Sequence, residues 1–473
     1  MRLPTGDGDD PGGSLRVTPA GSVVVATDAL LASADRLRAL EAALHDDLRR
    51  VVAADAVVTG LPIPGIAPRL QHLRERCESA RDAFTRVAEE YTRGEVFVEG
   101  LQRKVAEIVA ATAGPALLGM LARLVMFSPQ TLLLGGLLGW AAIPDGSGGR
   151  LGTVRDFFLQ NPQLITSPEF TRFVSLLATS IDDGVLGISG MPGVLAGLPG
   201  AELSPAGGVA AGAFTVAAAG SALGMFRETA VATERVSTTR LDAAPVGVRE
   251  RLDRIPEVNQ VRIEKYEAEG MPPRYGVFIG PTETFSPYAD TDPWDLTSNV
   301  VGVAGLSPGS LRAVEQAMAD AGIQPGDEVL VAGFSQGGLV ATRVAASGDW
   351  NVVAVETHGA PAGHIQLPEG VSGLAIRNTD DFIPALAGPQ LDHALVQVER
   401  EAFAGDAPLP TTEAAPAHQR TAYERTATAI DAAESRVVRE QIDRLDSFAA
   451  DYLARPGGQA TVMTYRSTRL TGD

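Results

Sequence analysis

At 473 residues the chain exceeds one ordinary domain, and apolar residues at 45% supply ample core, which excludes general disorder. Thirty-nine basic against 58 acidic residues leave a formal charge of −19, which excludes a nucleic-acid partner and argues against electrostatic docking on anionic lipid. The single cysteine, Cys77, excludes an internal disulfide framework and any multi-cysteine metal site.

Residues 1–21 read as a flexible leader. MRLPTGDGDDPGGSLRV is acidic and glycine-rich, without the apolar core or cleavage site of a secretory signal. The expected location is therefore cytoplasmic or membrane-associated. Residues 22–110 read as a helical hairpin. Leu30, Ala34, Leu37, Leu40, Leu44, Leu48 and Val51 recur at helical spacing, and TGLPIPGIAP (59–68) then breaks the helix. Leu70, Leu73, Cys77, Ala80, Phe84, Val87 and Tyr91 alternate three and four, a coiled-coil seam. With Tyr91 and Glu95 at its end, this hairpin resembles the helical-hairpin substrates of bacterial type VII secretion and their Tyr-x-x-x-Asp/Glu export signal. The turn lacks their Trp-x-Gly. The resemblance implies export by that route; a packing or dimerisation module is the competing reading.

Residues 111–244 form an apolar region rich in Ala, Gly and Leu. The tract 115–143 carries one charge, Arg123, and the tract 205–226 carries none. Both reach the ~20 residues that span a bilayer. Pro129 and several glycines interrupt them, so buried helices of a soluble domain are the alternative to membrane contact.

From about Pro245 the pattern changes. QVRIEKYEAE, RYGVFIG, EVLVAGF, NVVAVETHG, GLAIRNTDD and HALVQVERE read as strands, with helical patterns such as SLRAVEQAMADAG between them. The expected fold class over 245–473 is α/β, a mainly parallel sheet with helices on both faces, behind an all-α N-terminal region. Catalysis in such folds belongs at the carboxyl ends of the strands.

Ser335 occupies one such end. Gly333 and Gly337 bracket it in G-F-S-Q-G, which fits a nucleophile elbow between strand and helix. The first N–H of the following helix, that of Gln336, is the natural first oxyanion donor. The second is expected from Gly280 to Thr282, on the loop after an earlier strand, with Thr282 adding a hydroxyl. A serine needs a base oriented by an acid, and this fold presents them in the order Ser, acid, His. His45 and His72 lie in the hairpin, and His358 and His364 precede the acids. His393 and His418 come late enough, and Asp380 and Asp381 are the acid candidates.

GFSQGG, NTDDFIP and PAHQRTAY resemble the three catalytic blocks of cutinases and related small serine esterases of the α/β-hydrolase superfamily. The resemblance covers the last ~230 residues. It implies Ser335 as nucleophile, Asp381 as triad acid, with Asp380 standing where the family has glycine, and His418 as base. Two departures stand out: Pro384 replaces the family's cysteine after the acid, and 37 residues separate Asp381 from His418. The long gap keeps His393 as a rival. His393 opens the run HALVQVERE, however, whereas the base belongs on the loop after the final strand. Trp294 lines the acyl pocket or simply packs, and His358 sits near the site rim or makes a structural hydrogen bond.

The expectation is a serine hydrolase cleaving carboxylic esters through an acyl-enzyme, with no metal or organic cofactor. The apolar region favours a small-molecule or lipid ester substrate. Thioesterase and phospholipase are variants of the same chemistry. The alternative is a non-catalytic exported or membrane-associated interaction protein using this fold as scaffold.

Overall fold

The computed structural model describes residues 12–20, 71, 72 and 74, most of 162–175, and 209–222. It also describes 224–470 apart from 286–287, 389–393 and a few positions between 406 and 414. The chain divides into two units. One, residues 23–118, is described only at Gln71, His72 and Arg74, which are helical. The rest of the expected hairpin, including Tyr91 and Glu95, and the apolar tract 115–143 lie outside the described residues.

The other unit is mixed α/β, built on one nine-stranded sheet. Its strands are β1 (Arg16–Thr18), β2 (Val231–Leu241), β3 (Val261–Glu267), β4 (Arg274–Ile279), β5 (Glu328–Phe334), β6 (Val352–His358), β7 (Ser372–Asn378), β8 (Val396–Arg400) and β9 (Gln459–Arg469). Their order across the sheet is β1-β8-β7-β6-β5-β4-β3-β9-β2. β4 to β8 run parallel in sequence order, and antiparallel strands flank them on both sides.

Besides a single helical turn at Pro162–Ile165, the described α-helices are α1 (Val209–Ala222), α2 (Gly247–Arg254), α3 (Leu296–Val303), α4 (Gly309–Asp320), α5 (Gln336–Ser347), α6 (Phe382–Ala385), α7 (Arg420–Asp431) and α8 (Arg436–Leu453). Successive strand residues point to opposite faces, so β5 feeds two cores. Leu330, Ala332 and Phe334 pack under α2, α7 and α8, beside Leu252, Tyr423 and Ile442. Val329 and Val331 pack under α4 and α5, beside Val314 and Val340. Burial on both faces is why EVLVAGF reads as a continuous apolar run.

Several expectations are corrected. Residues 16–18, assigned to a flexible leader, pair antiparallel with β8. β2 lies upstream of the boundary expected at Pro245 and pairs with β9. β8 is therefore not the last strand, since β9 follows two helices later. Of the second apolar tract, 209–222 and 224–226 are described, and 209–222 form α1. Within it Ala217 packs with Phe226 against Leu296 and Val300 of α3. Among the described residues no helix is long and apolar enough to cross a membrane.

Beneath the sheet's carboxyl end lies an ionic cluster. Arg251, Glu356 and His358 are fully buried. Arg251 Nε donates to Glu356 Oε2 at 2.7 Å, its Nη1 donates to Asp446, and His358 Nε2 sits 3.0 Å from Glu356 Oε1. Burial alone would raise the Glu356 carboxyl, but Arg251 and His358 hold it below its ordinary value. Removing one partner strands a buried charge. We expect Arg251→Met to cost about 3–5 kcal/mol in urea unfolding, and Glu356→Gln added to it to recover part of the loss. A cost within about 0.5 kcal/mol of wild type would show that the pair bears no stability.

Candidate active site

Three loops at the carboxyl ends of β5, β7 and β8 bring the candidate residues together. Ser335 follows β5 and caps α5 with φ 55° and ψ −120°, a conformation that costs a non-glycine residue about 1–3 kcal/mol. The packing leaves no relaxed alternative. A Cβ on Gly333 would sit 2.2 Å from the backbone of Gly337, and one on Gly337 would sit 2.1 Å from the Ile279 carbonyl oxygen. The Ser335 N–H donates to the His358 carbonyl at 2.8 Å, anchoring the turn to β6.

His418 ends a short 3₁₀ turn, Pro416–His418, that Ala415 enters with φ 76°. Asn378 at the end of β7 holds this turn, its Nδ2 donating to the Ala417 carbonyl at 2.8 Å, and Thr426 Oγ1 in turn donates to Asn378 Oδ1 at 2.8 Å. The imidazole stacks on Phe334, with centroids 5.3 Å apart and planes 24° apart. Its Nε2 lies 2.8 Å from Ser335 Oγ and its Nδ1 lies 2.6 Å from Asp381 Oδ2. An ionised carboxylate can only accept, so Nδ1 carries the hydrogen and Nε2 is left to accept from the serine hydroxyl. Ser335 is 8% exposed and the His418 side chain 16%, whereas the Asp381 side chain is sealed.

Asp381 caps α6, its Oδ1 accepting from the Ile383 N–H at 3.0 Å. Asp380 faces away from the imidazole. Its oxygens accept from the N–H groups of Ala402 at 2.8 Å and Phe403 at 3.0 Å. Burial nevertheless pushes the Asp380 carboxyl above the usual carboxylate range. Of the other histidines, His358 is fully buried in the ionic cluster and not at a rim. His364 bonds the Val303 carbonyl at 3.0 Å, and burial lowers its pKa. His72 is an exposed helical residue in the other unit, and His45 and His393 lie outside the described residues.

As the first residue of α5, Gln336 has a backbone N–H with no acceptor inside the helix. Its buried side chain donates to the Asp295 carbonyl at 2.8 Å, fixing the start of the helix. Gly280 abuts Gly337, and two residues on, Thr282 Oγ1 accepts from Asn299 Nδ2 at 2.9 Å. With that lone pair engaged, the Thr282 hydroxyl hydrogen is available to another acceptor. Trp294 is fully buried in a core cluster and donates from Nε1 to the Gly280 carbonyl at 3.1 Å, so it packs and does not line a pocket.

Two residues here carried no sequence-based assignment of a role. Asn299 orients Thr282, and its signal is a polar residue inside the apolar helix LTSNVVGV. Tyr423 donates its O–H to Asp381 Oδ2 at 2.8 Å, and its signal is a position one turn into the helix after His418. Chemically the array can deprotonate a hydroxyl, steady the resulting imidazolium and offer donors to a developing oxyanion. Among the described residues no three His, Cys, Asp or Glu side chains cluster as metal ligands.

Next to Thr282, burial and a hydrogen bond donated to Asp292, together with the Asp292 charge, push the Glu283 carboxyl up from 4.5 to about 7, against Arg466. Its protonated form is the one the fold favours. That contribution to stability is full below pH ~4.5 and is lost as pH rises through ~7. We expect Glu283→Gln to flatten the fall in Tm between pH 5 and 8; a slope equal to that of wild type would exclude this carboxyl as its source. In comparisons of the chain with family models, curated proteins and solved structures, none matched.

Proposed function

We propose that the chain is a serine hydrolase of carboxylic esters, with a cutinase-like α/β-hydrolase domain in its last ~230 residues. The observation that carries the reading is the continuous contact from Asp381 through His418 to Ser335, at 2.6 Å and 2.8 Å, made on a strained turn after a central parallel strand.

His418 Nε2 takes the Ser335 proton as Oγ bonds to the ester carbonyl carbon. The carbonyl oxygen becomes an oxyanion facing the Gln336 N–H, with Thr282 as the second donor. Collapse breaks the acyl C–O bond, and the imidazolium returns its proton to the departing alcohol. Water then adds to the acyl-enzyme with His418 as base, and the carboxylic acid leaves Ser335. Asp381 stays ionised throughout, holding the imidazole tautomer.

The test is hydrolysis of p-nitrophenyl esters of graded chain length, followed before and after the steady state. A burst of one nitrophenolate per active chain is expected. Ser335→Ala and His418→Ala are expected to lower kcat/KM at least about 10⁴-fold, and Asp381→Asn about 10⁴-fold by favouring the wrong tautomer. Turnover retained in Ser335→Ala would overturn Ser335 as nucleophile, and no turnover by wild type on any ester would overturn the reading and leave a non-catalytic scaffold.

A further inference from the structure

Tyr423 is fully buried on α7, yet its hydroxyl makes two hydrogen bonds, both to the acid-bearing segment. It donates to Asp381 Oδ2 at 2.8 Å and accepts from the Asn378 N–H at 3.2 Å. Its ring lies edge-on to His418 at 6.2 Å and tilted on Phe334 at 5.4 Å. One residue therefore touches the acid, the base and the strand that delivers the serine. The fit is close: a Cβ on Gly359 would lie 2.9 Å from the Tyr423 oxygen, and Gly359 has φ 60°.

Oδ2 of Asp381 is also the oxygen that receives the His418 Nδ1–H. Two donors thus compete for the charge of one carboxylate oxygen, while Oδ1, among the described residues, accepts from the Ile383 amide alone. We propose that Tyr423 is a positioning residue of the hydrolytic site, sharing Asp381 Oδ2 with the imidazole and thereby setting how strongly the carboxylate holds His418 in its protonated form. The proposal rests on the serine-hydrolase reading for its role in turnover, but the coupling itself is a property of the folded chain.

The chemistry runs in one direction. Burial, then the charge of Asp381, pushes the Tyr423 phenol well above its ordinary value, so it acts as a donor across the working pH range. Other titratable groups around it are His358, edge-on at 6.4 Å and tied to Glu356, and Asp380, whose oxygens are taken by two amides. Neither Glu356 nor Asp380 has a hydrogen bond to His418. With the phenol bond gone, Oδ2 has more charge to offer the imidazolium. Protonated His418 gains stability and releases its proton at higher pH. A residue that merely packed would slow the reaction equally at every pH.

The experiment measures the second-order rate of labelling by a fluorophosphonate against pH in the full chain. It compares wild type, Tyr423→Phe, and a chain with 3,5-difluorotyrosine placed at 423. The midpoint of the acidic limb is expected to rise by on the order of half a pH unit in Tyr423→Phe. It is expected to fall in the difluorotyrosine chain, whose phenol is a stronger donor and whose ring keeps its place. Coincident midpoints in the three chains, or shifts of the opposite sign, would overturn the proposal. Should Tyr423→Phe fold poorly, the difluorotyrosine shift alone decides. Should wild type fail to label, the hydrolase reading falls instead. The His418 ring titration by NMR, assigned by its loss in His418→Gln, then tests the Tyr423 coupling in the same chains.

Discussion

Ser335 is held in a backbone conformation that its own side chain disfavours, and the geometry of the site depends on that hold. A φ of 55° turns the hydroxyl out of the sheet at the end of β5. Two glycines make the turn sterically admissible, because the strand end, the first turn of α5 and the carbonyl of Ile279 approach to distances that exclude a Cβ. The His358 carbonyl then secures the Ser335 amide. A cost of about 1–3 kcal/mol is borne here by contacts made elsewhere. The same close approach fixes the start of α5, whose first amides have no acceptor inside the helix.

The contacts that bear this cost are polar and buried. Below the elbow, Arg251 and Glu356 fix His358 on β6, and with it the carbonyl that anchors Ser335. Beside it, Asn378 ties β7 to the His418 turn through Ala417, and Thr426 completes the bonding of the Asn378 side chain. Tyr423 bridges the two halves. A network of this kind is costly when partly satisfied and specifying when complete, because each member has one arrangement in which its partners are met. Among the described residues the bonding is incomplete at three of these groups: Arg251 Nη2, His358 Nδ1 and the side-chain oxygen of Gln336 are buried without a partner. The Gln336 amide nitrogen, bonded to Asp295, nevertheless fixes the start of α5.

The parts of this arrangement legible in the sequence are those with a strong local signature. EVLVAGF is apolar on both faces because both faces are covered, and G-F-S-Q-G records a steric exclusion that no other residues satisfy. Block pattern and chain order favour Asp381 over Asp380 and His418 over His393; His418 stands within hydrogen-bonding distance of both Asp381 and Ser335, and His393 lies outside the described residues. What escaped is what periodicity does not register. β2 is exposed along most of its length, so no apolar alternation marks it. β9 buries Ser467 and Arg469 among its apolar residues, and Arg469 bonds Asp295 and Ser298, which disguises its inward face as polar. β1 is three residues long and depends on β8 for its identity. Asn299 and Tyr423 act through partners 17 and 42 residues away, distances at which sequence spacing carries no information.

The most direct measurement is a crystal structure of the chain after reaction with a fluorophosphonate, whose tetrahedral phosphorus stands in for the attacked carbonyl carbon. The proposed account predicts phosphorus bonded to Ser335 Oγ and its free oxygen about 3 Å from the Gln336 N–H, with His418 still bridging to Asp381. Phosphorus on any other residue, or a free oxygen turned away from the start of α5, would contradict it.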